Sequence, residues 1–310
     1  MRGFVIKMTL QQLKYALMVA NTGSMNEAAK KLFVSQPSLS AAVKELESEM
    51  QISLFSRTSK GVHITPEGSE FLSYARQIMN QVDLLEDKFC NNQVIKKKFG
   101  VSTQHYSFAV KAFVEMVKSF SMEEYEFAIR ETRTYDVIHD VSSGKSEIGI
   151  LYLNEFNEKV LQKLLRNELL IFHELMQCRA YVYLHKDHPL SGKQSILLEE
   201  LEPFPCLSFE QGEYNSFYFA EEVLSTYDYK KTIKACDRAT MLNLMVGLSG
   251  YTLCSGIICE ELNGGDYRAI LLQTDTRMKI GYITLRSNVL SQIGQKYLEE
   301  LMEYISLHNE

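Results

Sequence analysis

The stretch Ser24–Met50, SMNEAAKKLFVSQPSLSAAVKELESEM, holds two short helical patterns separated by a tight break. Ser24 with Glu27 three residues on has the form of a capping box: the hydroxyl takes one free helix N–H and the carboxylate returns to the cap's own N–H. Ala28, Ala29 and Leu32 then give the first helix an inner face small enough for a second helix to approach closely. Ser35 reads as the next N-cap, and Pro37 falls in the following first turn, where a missing N–H does no harm. Leu39, Val43, Leu46 and Met50 recur at 4-3-4 spacing, so the second helix buries one side. Its other side carries Gln36, Ser38, Ser40, Ala41 and Lys44, which are short, polar or basic. A helix anchored along one side and short-chained along the other fits a DNA major groove. These five residues, with Ser35 and Pro37 at the helix start, are therefore the candidate DNA contacts.

Upstream, Thr9 and Gln12 form a second capping box that opens a helix through about Val19, with Leu10, Leu13 and Leu17 inward; Asn21-Thr22-Gly23 ends it. Downstream, Ile52–Phe55 and Val62–Thr65 read as two strands around a basic tip, Arg57–Gly61. Such a wing would bring Arg57 and Lys60 near phosphate or the minor groove. Thr65 caps a long helix with Pro66 at its first position. Phe71, Ala75, Ile78, Val82, Leu85 and Phe89 recur along it at 4-3-4-3-4, the narrow stripe of a dimerising coiled-coil seam. A helix packed on its own domain is the alternative. The polar, basic run Asn91–Lys98 follows as a hinge. The spacing thus divides the chain into a DNA-binding head over residues 1–65, a dimerisation helix over 66–95 and a third part over 96–310.

Charge sharpens that division. The 310 residues have a net charge of −6, which is unpromising for nucleic-acid binding taken whole. Residues 1–65, however, carry eight Lys or Arg against four Asp or Glu, a net of +4, while the remaining 245 carry 25 against 35, a net of −10. A basic head supplies phosphate attraction and an acidic body does not. No apolar run approaches the roughly 18 residues that a membrane helix needs, and MRGFVIKM has too short an apolar core for a signal peptide, so the cytoplasm is expected. Six cysteines without a C-x-x-C pair are not a disulfide or metal framework, and buried reduced thiols are expected.

From Phe99 onward strand and helix patterns alternate, as in an α/β fold with parallel strands. Strands are expected at 99–101, 125–130, 148–153, 180–185, 205–209, 232–235, 253–257 and 279–285. Helices are expected up to Phe120 and at 135–143, 158–166, 217–226, 240–248 and 289–307. Two such units, one over about 96–168 and 269–310 and the other over about 169–268, would leave a cleft where small ligands bind.

These residues together resemble the LysR-type transcriptional regulators over nearly the whole chain. The specific part is Ala28-Ala29, Leu32, Val34-Ser35-Gln36-Pro37-Ser38-Leu39-Ser40, Val43 and Leu46-Glu47, then Leu54-Phe55-Ser56-Arg57 and Ile64-Thr65-Pro66-Glu67-Gly68. Gly144, Glu147, Gly149-Ile150 and His188-Pro189-Leu190 resemble weaker markers of the family's ligand domain. The resemblance implies a winged helix-turn-helix, a linker helix and a two-lobed periplasmic-binding-protein-like effector domain. It also implies homodimers assembled into homotetramers, with operator DNA, a small effector and RNA polymerase as partners, and no cofactor or metal. Ala41 and Ala42 depart from the basic or amide residues common there, which shifts base readout toward Gln36, Pro37, Ser38 and Ser40. Met50-Gln51 stands where Leu-Gly is usual, and Glu147 where Asp is common.

In this family the effector lies between the lobes, facing the first lobe's opening helix, which here corresponds to Ser102-Thr103-Gln104-His105. Hydroxyls and free N–H groups at a helix start favour an anion or carboxylate. The stretch distantly resembles that of members governing sulfur and cysteine metabolism. A small anionic metabolite, such as a sulfur compound or amino-acid precursor, is the expected effector. Thr134, Leu207, Ser208, Phe209 and Thr240 are its expected further contacts, and helix capping alone is the alternative for Ser102 and Thr103.

Catalysis is not expected. Gly144-Lys145-Ser146 has His139 where a phosphate loop needs glycine, and it follows a helix instead of a strand. Gly247-Leu248-Ser249-Gly250 lacks the spacing of a nucleophile elbow, and His185 with His188 is an isolated pair. A redox sensor built on Cys206 finds no second thiol in the loop Glu210–Ser216.

Overall fold

The computed structural model describes residues 7–58, 61–89, 97–120, 124–214, 216–286 and 289–308. The chain divides into two compact units, Met1–Ile95 and Lys96–Glu310.

In the first unit α1 (Leu10–Thr22), α2 (Met25–Lys31) and α3 (Gln36–Met50) are followed by the hairpin β1 (Phe55–Thr58) and β2 (Gly61–Ile64) and by α4 (Pro66–Phe89). Thr9 caps α1 as a full capping box, with Gln12 N–H donating to its hydroxyl at 3.2 Å and Thr9 N–H donating to Gln12 Oε1 at 2.9 Å. Gly23 ends the helix at φ +63°, a left-handed position that favours glycine. At α2 only half of the expected box forms. Ser24 accepts from Glu27 N–H, but its own N–H donates to Thr22 Oγ1, and the Glu27 carboxylate pairs with Lys30 at 3.0 Å. Gln51 takes the left-handed C-cap of α3 at φ +56°, filling the role that glycine usually has there.

The hairpin begins three residues later than expected. Ile52–Leu54 are held by Glu47 instead: its backbone carbonyl accepts from Ile52 N–H, and its carboxylate accepts from Leu54 N–H at 2.7 Å and Phe55 N–H at 3.1 Å. The core packs Leu13, Ala16 and Val19 of α1 against Leu39, Val43 and Leu46 of α3, with Leu54 and the α4 residues Leu72 and Ala75 closing it.

That packing corrects part of the expected seam. Ala75 is buried in its own unit and Phe71 is packed against the same core, because α4 lies along α1 in its early turns. Further along, Ile78 and Leu85 are 39% and 57% exposed and Val82 is half-buried, so an apolar stripe remains uncovered there. The side chain of Phe89 lies outside the described residues.

The second unit contains two sheets. Its first run is β3 (Lys97–Thr103), α5 (Ser107–Ser119), β4 (Tyr125–Glu131), α6 (Thr134–Ser142), β5 (Ile148–Leu153), α7 (Glu158–Asn167) and β6 (Leu170–Arg179). Next come β7 (Tyr181–His185), β8 (Ser195–Ile196), β9 (Cys206–Phe209), β10 (Thr232–Ala235), α8 (Arg238–Leu248), β11 (Tyr251–Cys254), α9 (Glu260–Asn263) and β12 (Tyr267–Leu272). Finally β13 (Arg277–Leu285) and α10 (Gln292–His308) return to the first sheet. The strand orders are β4-β3-β5-β13-β6 and β10-β9-β11-β7-β12-β8.

Helices α5 and α10 cover one face of the five-stranded sheet through Phe108, Phe113, Met116, Tyr297 and Leu301, and α6 and α7 cover the other. The six-stranded sheet carries α8 on Leu207 and Ala235 through Met241 and Met245.

The chain crosses between sheets later than residues 169 and 269, where the sequence pattern put the changes. Residues 170–179 pair with β13 over its whole length, so the first crossing falls at Ala180, and β12 still belongs to the second sheet, so the return falls after Leu272. β6 is an edge strand with exposed or half-buried His173, Glu174 and Gln177, and such strands lack a continuous apolar run. The expected helix at 217–226 reduces to one 3₁₀ turn, Phe217–Phe219. Its side chains are drawn in different directions: Tyr218 stacks on Phe156, Val223 enters the core, and Glu221 and Glu222 reach the interior between the sheets.

Gly68 in the first turn of α4 sits directly against the backbone of Leu54. A Cβ there would lie 2.1 Å from the Leu54 carbonyl oxygen, with backbone on both sides and no flexible atom to yield. Gly68→Ala is expected to lower stability of the first unit by about 1–3 kcal/mol, as overpacking does, read as an earlier midpoint in urea unfolding.

Candidate DNA-contacting surface and interior site

On α3 the two sides separate as the spacing predicts. Leu39, Val43 and Leu46 are buried, whereas Pro37, Ser38, Ala41 and Lys44 are exposed and Gln36 and Ser40 are half-buried. Exposed Ser35 caps the helix, accepting from Ser38 N–H at 3.2 Å. The wing's backbone pairs Arg57 with Val62, but the Arg57 side chain and all of Lys60 lie outside the described residues. The sequence pattern missed Phe33, which stands 96% exposed in the turn between α2 and α3 at φ +55°, an unusual conformation for an aromatic residue. Only the pattern break before Ser35 signals it.

In the second unit the expected effector residues are engaged by the chain itself. Ser102 is buried at the end of β3, donating to Asp140 Oδ2 at 2.6 Å, with Ser146 Oγ 2.8 Å away. Thr103 donates to the Gln104 carbonyl. Gln104 donates to Thr134 Oγ1 at 2.6 Å and accepts from Tyr152 N–H, while Thr134 donates to the Phe219 carbonyl at 2.7 Å. Neither Ser102 nor Thr103 caps α5, whose N-cap is Tyr106 without a side-chain bond. Leu207 is buried under α8, Ser208 is half-buried, and exposed Thr240 is tied to Asp237 at the start of α8. Of the expected contacts Phe209 lines the interior cavity of this unit, as does His105 at the end of the Ser102–His105 stretch.

The position facing the start of α5 holds a carboxylate of the protein. Glu221 Oε2 accepts from His105 N–H at 3.0 Å and lies 2.8 Å from His105 Nδ1, and Oε1 accepts from Gln211 Nε2 at 3.0 Å. Gln211 in turn accepts from Thr134 N–H at the start of α6. The His105 ring stacks on Phe209 with centroids 3.6 Å apart and planes 5° from parallel. Glu222 Oε1 accepts from Phe209 N–H at 2.9 Å. Burial, reinforced by the neighbouring Glu221 charge, pushes the Glu222 carboxyl up to about 8.

These groups border a cavity open to one side, lined from the first sheet's side by His105–Ser107 and from the second's by β7, β11 and α8. Its walls are largely apolar, with Met241, Leu242, Met245, Ile257 and Ile258. Among the described residues no cluster of His, Cys, Asp and Glu could hold a metal ion. No helix among them is long and apolar enough to cross a membrane.

A winged helix-turn-helix unit joined to a two-sheet unit with a cavity between its halves defines a ligand-responsive DNA-binding regulator. Residues 10–69 match the bacterial regulatory helix-turn-helix proteins of the lysR family, and residues 104–306 match the LysR substrate binding domain. The chain belongs to the LysR family of transcriptional regulators, which are not enzymes.

It is similar to the regulator AlsR of Bacillus subtilis, with 26% identity over 68% of this chain and 67% of that protein. It is likewise similar to the dual regulator OxyR of Escherichia coli, at 24% over 89% of each. A full-length OxyR variant from Pseudomonas aeruginosa shares the fold with a TM-score of 0.62 at 19% identity, covering 98% of this chain and 96% of that one.

The raised Glu222 carboxyl makes stability depend on pH. The folded protein keeps this proton up to about pH 8, whereas the unfolded chain releases it near its ordinary value of 4.5. The folded state therefore binds more protons in that window, and stability falls as pH rises through it. Glu222→Gln cannot ionise, so its melting temperature is expected to gain on the parent's between pH 5 and pH 9, as thermal unfolding across that range reads.

Proposed function

We propose that the chain regulates transcription by binding an operator through the outer side of α3 and the wing, as a homodimer or homotetramer, under control of a small ligand in the interior cavity. The proposed contacts are Ser35, Gln36, Pro37, Ser38, Ser40, Ala41 and Lys44, with Arg57 and Lys60 on phosphate or the minor groove. The observation that carries this reading is the separation of sides on α3: Leu39, Val43 and Leu46 anchor it while the short polar residues stay accessible. Cytoplasmic location and contact with RNA polymerase accompany that role. The uncovered stripe of Ile78, Val82 and Leu85 supports pairing of two α4 helices.

The ligand proposed for the cavity is not the anion expected at Ser102–His105. Glu221 already supplies a carboxylate to the start of α5, and a second negative charge beside it meets repulsion. Peroxide sensing, which the names of some relatives carry ("Hydrogen peroxide-inducible genes activator"), finds little support in the thiols. Burial pushes Cys178, Cys206 and Cys254 up to about 12, far from the thiolate that attacks peroxide.

Gln36→Ala is expected to weaken specific binding by about 1–3 kcal/mol, measured by fluorescence anisotropy on a duplex selected from random sequence. Unchanged affinity would remove α3 from the interface. Val82→Asp is expected to convert the assembly to monomers in sedimentation velocity, and a retained dimer would contradict the α4 pairing.

A further inference from the structure

We propose that the interior cavity takes a small cationic ligand, an apolar body carrying a protonated amine, with Glu221 and Glu222 as its charge partners. This rests on the reading that the cavity is the regulatory site, and it names the chemistry that site selects.

Three observations converge. First, the polar end of the cavity is acidic. Glu221 and Glu222 both line it, and each is only 7% exposed. Their neighbours of opposite sign are already committed. Arg238 is on the wall, but its guanidinium is paired with Glu131 through Nε and Nη2. His105 gives both its N–H and its ring nitrogen to a single oxygen of Glu221. Two carboxyls face one imidazole here, and an ammonium beside Glu222 favours release of the proton that burial holds on that carboxyl up to about pH 8.

Second, two backbone donors beside the cavity are taken by the protein's own carboxyls. The His105 N–H goes to Glu221 and the Phe209 N–H to Glu222. A carboxylate ligand drawing on these two donors would have to displace a carboxyl of the protein, whereas an ammonium adds to carboxyl lone pairs. Third, Thr252 is 93% buried, lines the cavity, and its hydroxyl has no hydrogen-bond partner. An unsatisfied hydroxyl on a cavity-lining residue offers hydrogen-bonding capacity to a ligand atom. The thioether and aliphatic walls of Met241, Met245 and Ile257 suit the apolar remainder, since methionine adapts its shape to the guest.

The strap that carries the two carboxyls explains how one fold can invert its preference. Residues 209–214 and 216–222 reach from the second sheet to the first, where Tyr214 stacks on Tyr135 at 3.6 Å and Tyr218 on Phe156 at 4.7 Å. Those stacks hold the segment against the first half of the unit and deliver Glu221 to the helix start. The protein thereby carries its own anion at the place where one would otherwise bind, and the room beyond it favours the opposite charge.

The test is isothermal titration of the full chain at pH 7.5 with n-hexylamine, hexanoate and hexan-1-ol, three probes matched in length. The amine is expected to bind one per chain, at least tenfold more tightly than the alcohol, and hexanoate to bind more weakly than either. Glu221→Gln and Glu222→Gln, each confirmed as folded by circular dichroism, are expected to lose the amine's advantage while the alcohol's affinity stays within twofold. Met245→Trp, which fills the cavity, is expected to abolish binding of amine and alcohol alike. Should that variant not fold, amine affinity measured from pH 6 to pH 8.5 is decisive: it should rise several-fold in the parent and stay flat in Glu222→Gln. Hexanoate binding as tightly as the amine would overturn the cationic class and leave the cavity as a ligand site. Binding of none of the probes, or amine binding indifferent to both carboxyl variants, would overturn the proposal, and indifference to Met245→Trp would overturn the cavity reading as well.

Discussion

A buried carboxylate joins the two halves of the second unit. Glu221 meets His105 across 116 residues of sequence, with side chains 5% and 6% exposed. Taking such groups out of water has a large desolvation cost, which is recovered only when the geometry satisfies their remaining hydrogen-bonding positions. Here it does, through the His105 backbone N–H, the imidazole and Gln211, which itself ties to the start of α6. The contact therefore sets the path of residues 209–222, and that path decides what the cavity can accept. Removing one partner of a buried pair of this kind costs about 3–5 kcal/mol, because the other is left uncompensated.

The first unit solves a different problem, that of keeping a helix rigid while one side stays bare. α3 manages it with three anchors, Leu39, Val43 and Leu46, and with ends that are each closed locally by Ser35 and by left-handed Gln51. Glu47 then links the helix to the wing, because its carboxylate accepts the N–H groups of Leu54 and Phe55 where the hairpin begins. The close seat of Gly68 on the Leu54 carbonyl fixes α4 to the same corner. α3, the hairpin and α4 thus meet at one corner around Leu54, so a change at Glu47 or Gly68 reaches all three.

Long helix α4 divides its apolar residues between two tasks. Leu72 and Ala75 complete the core around Leu13 and Ala16, whereas the later Ile78, Val82 and Leu85 of the same stripe remain exposed or half-buried. A 4-3 repeat records that a residue is apolar, not which partner covers it, so both tasks leave the same trace in the sequence. The thiols show the same economy of meaning. Cys206 and Cys259 are buried, as the lack of a motif suggested, whereas Cys178 and Cys254 are half-buried and Cys236 is exposed.

What the sequence by itself determined were the features whose signals lie within one or two turns of chain. The caps at Thr9 and Ser35, the buried stripe of α3, the strand–helix alternation after Phe99 and the basic head were all legible, because each depends on neighbours a few residues away. Tertiary structure alone decided the rest. It placed edge strand β6 in the first sheet, broke the helix expected after Phe217, and turned Ser102, Gln104 and Thr134 inward to Asp140, Tyr152 and Phe219. It also set Glu221 at the start of α5, converting a site that reads locally as anion-binding into an acidic one. The physical reason is range: a helix start is legible in its own sequence, but the carboxylate that binds His105 just before it arrives from more than a hundred residues away, by a route that only the packed sheets define.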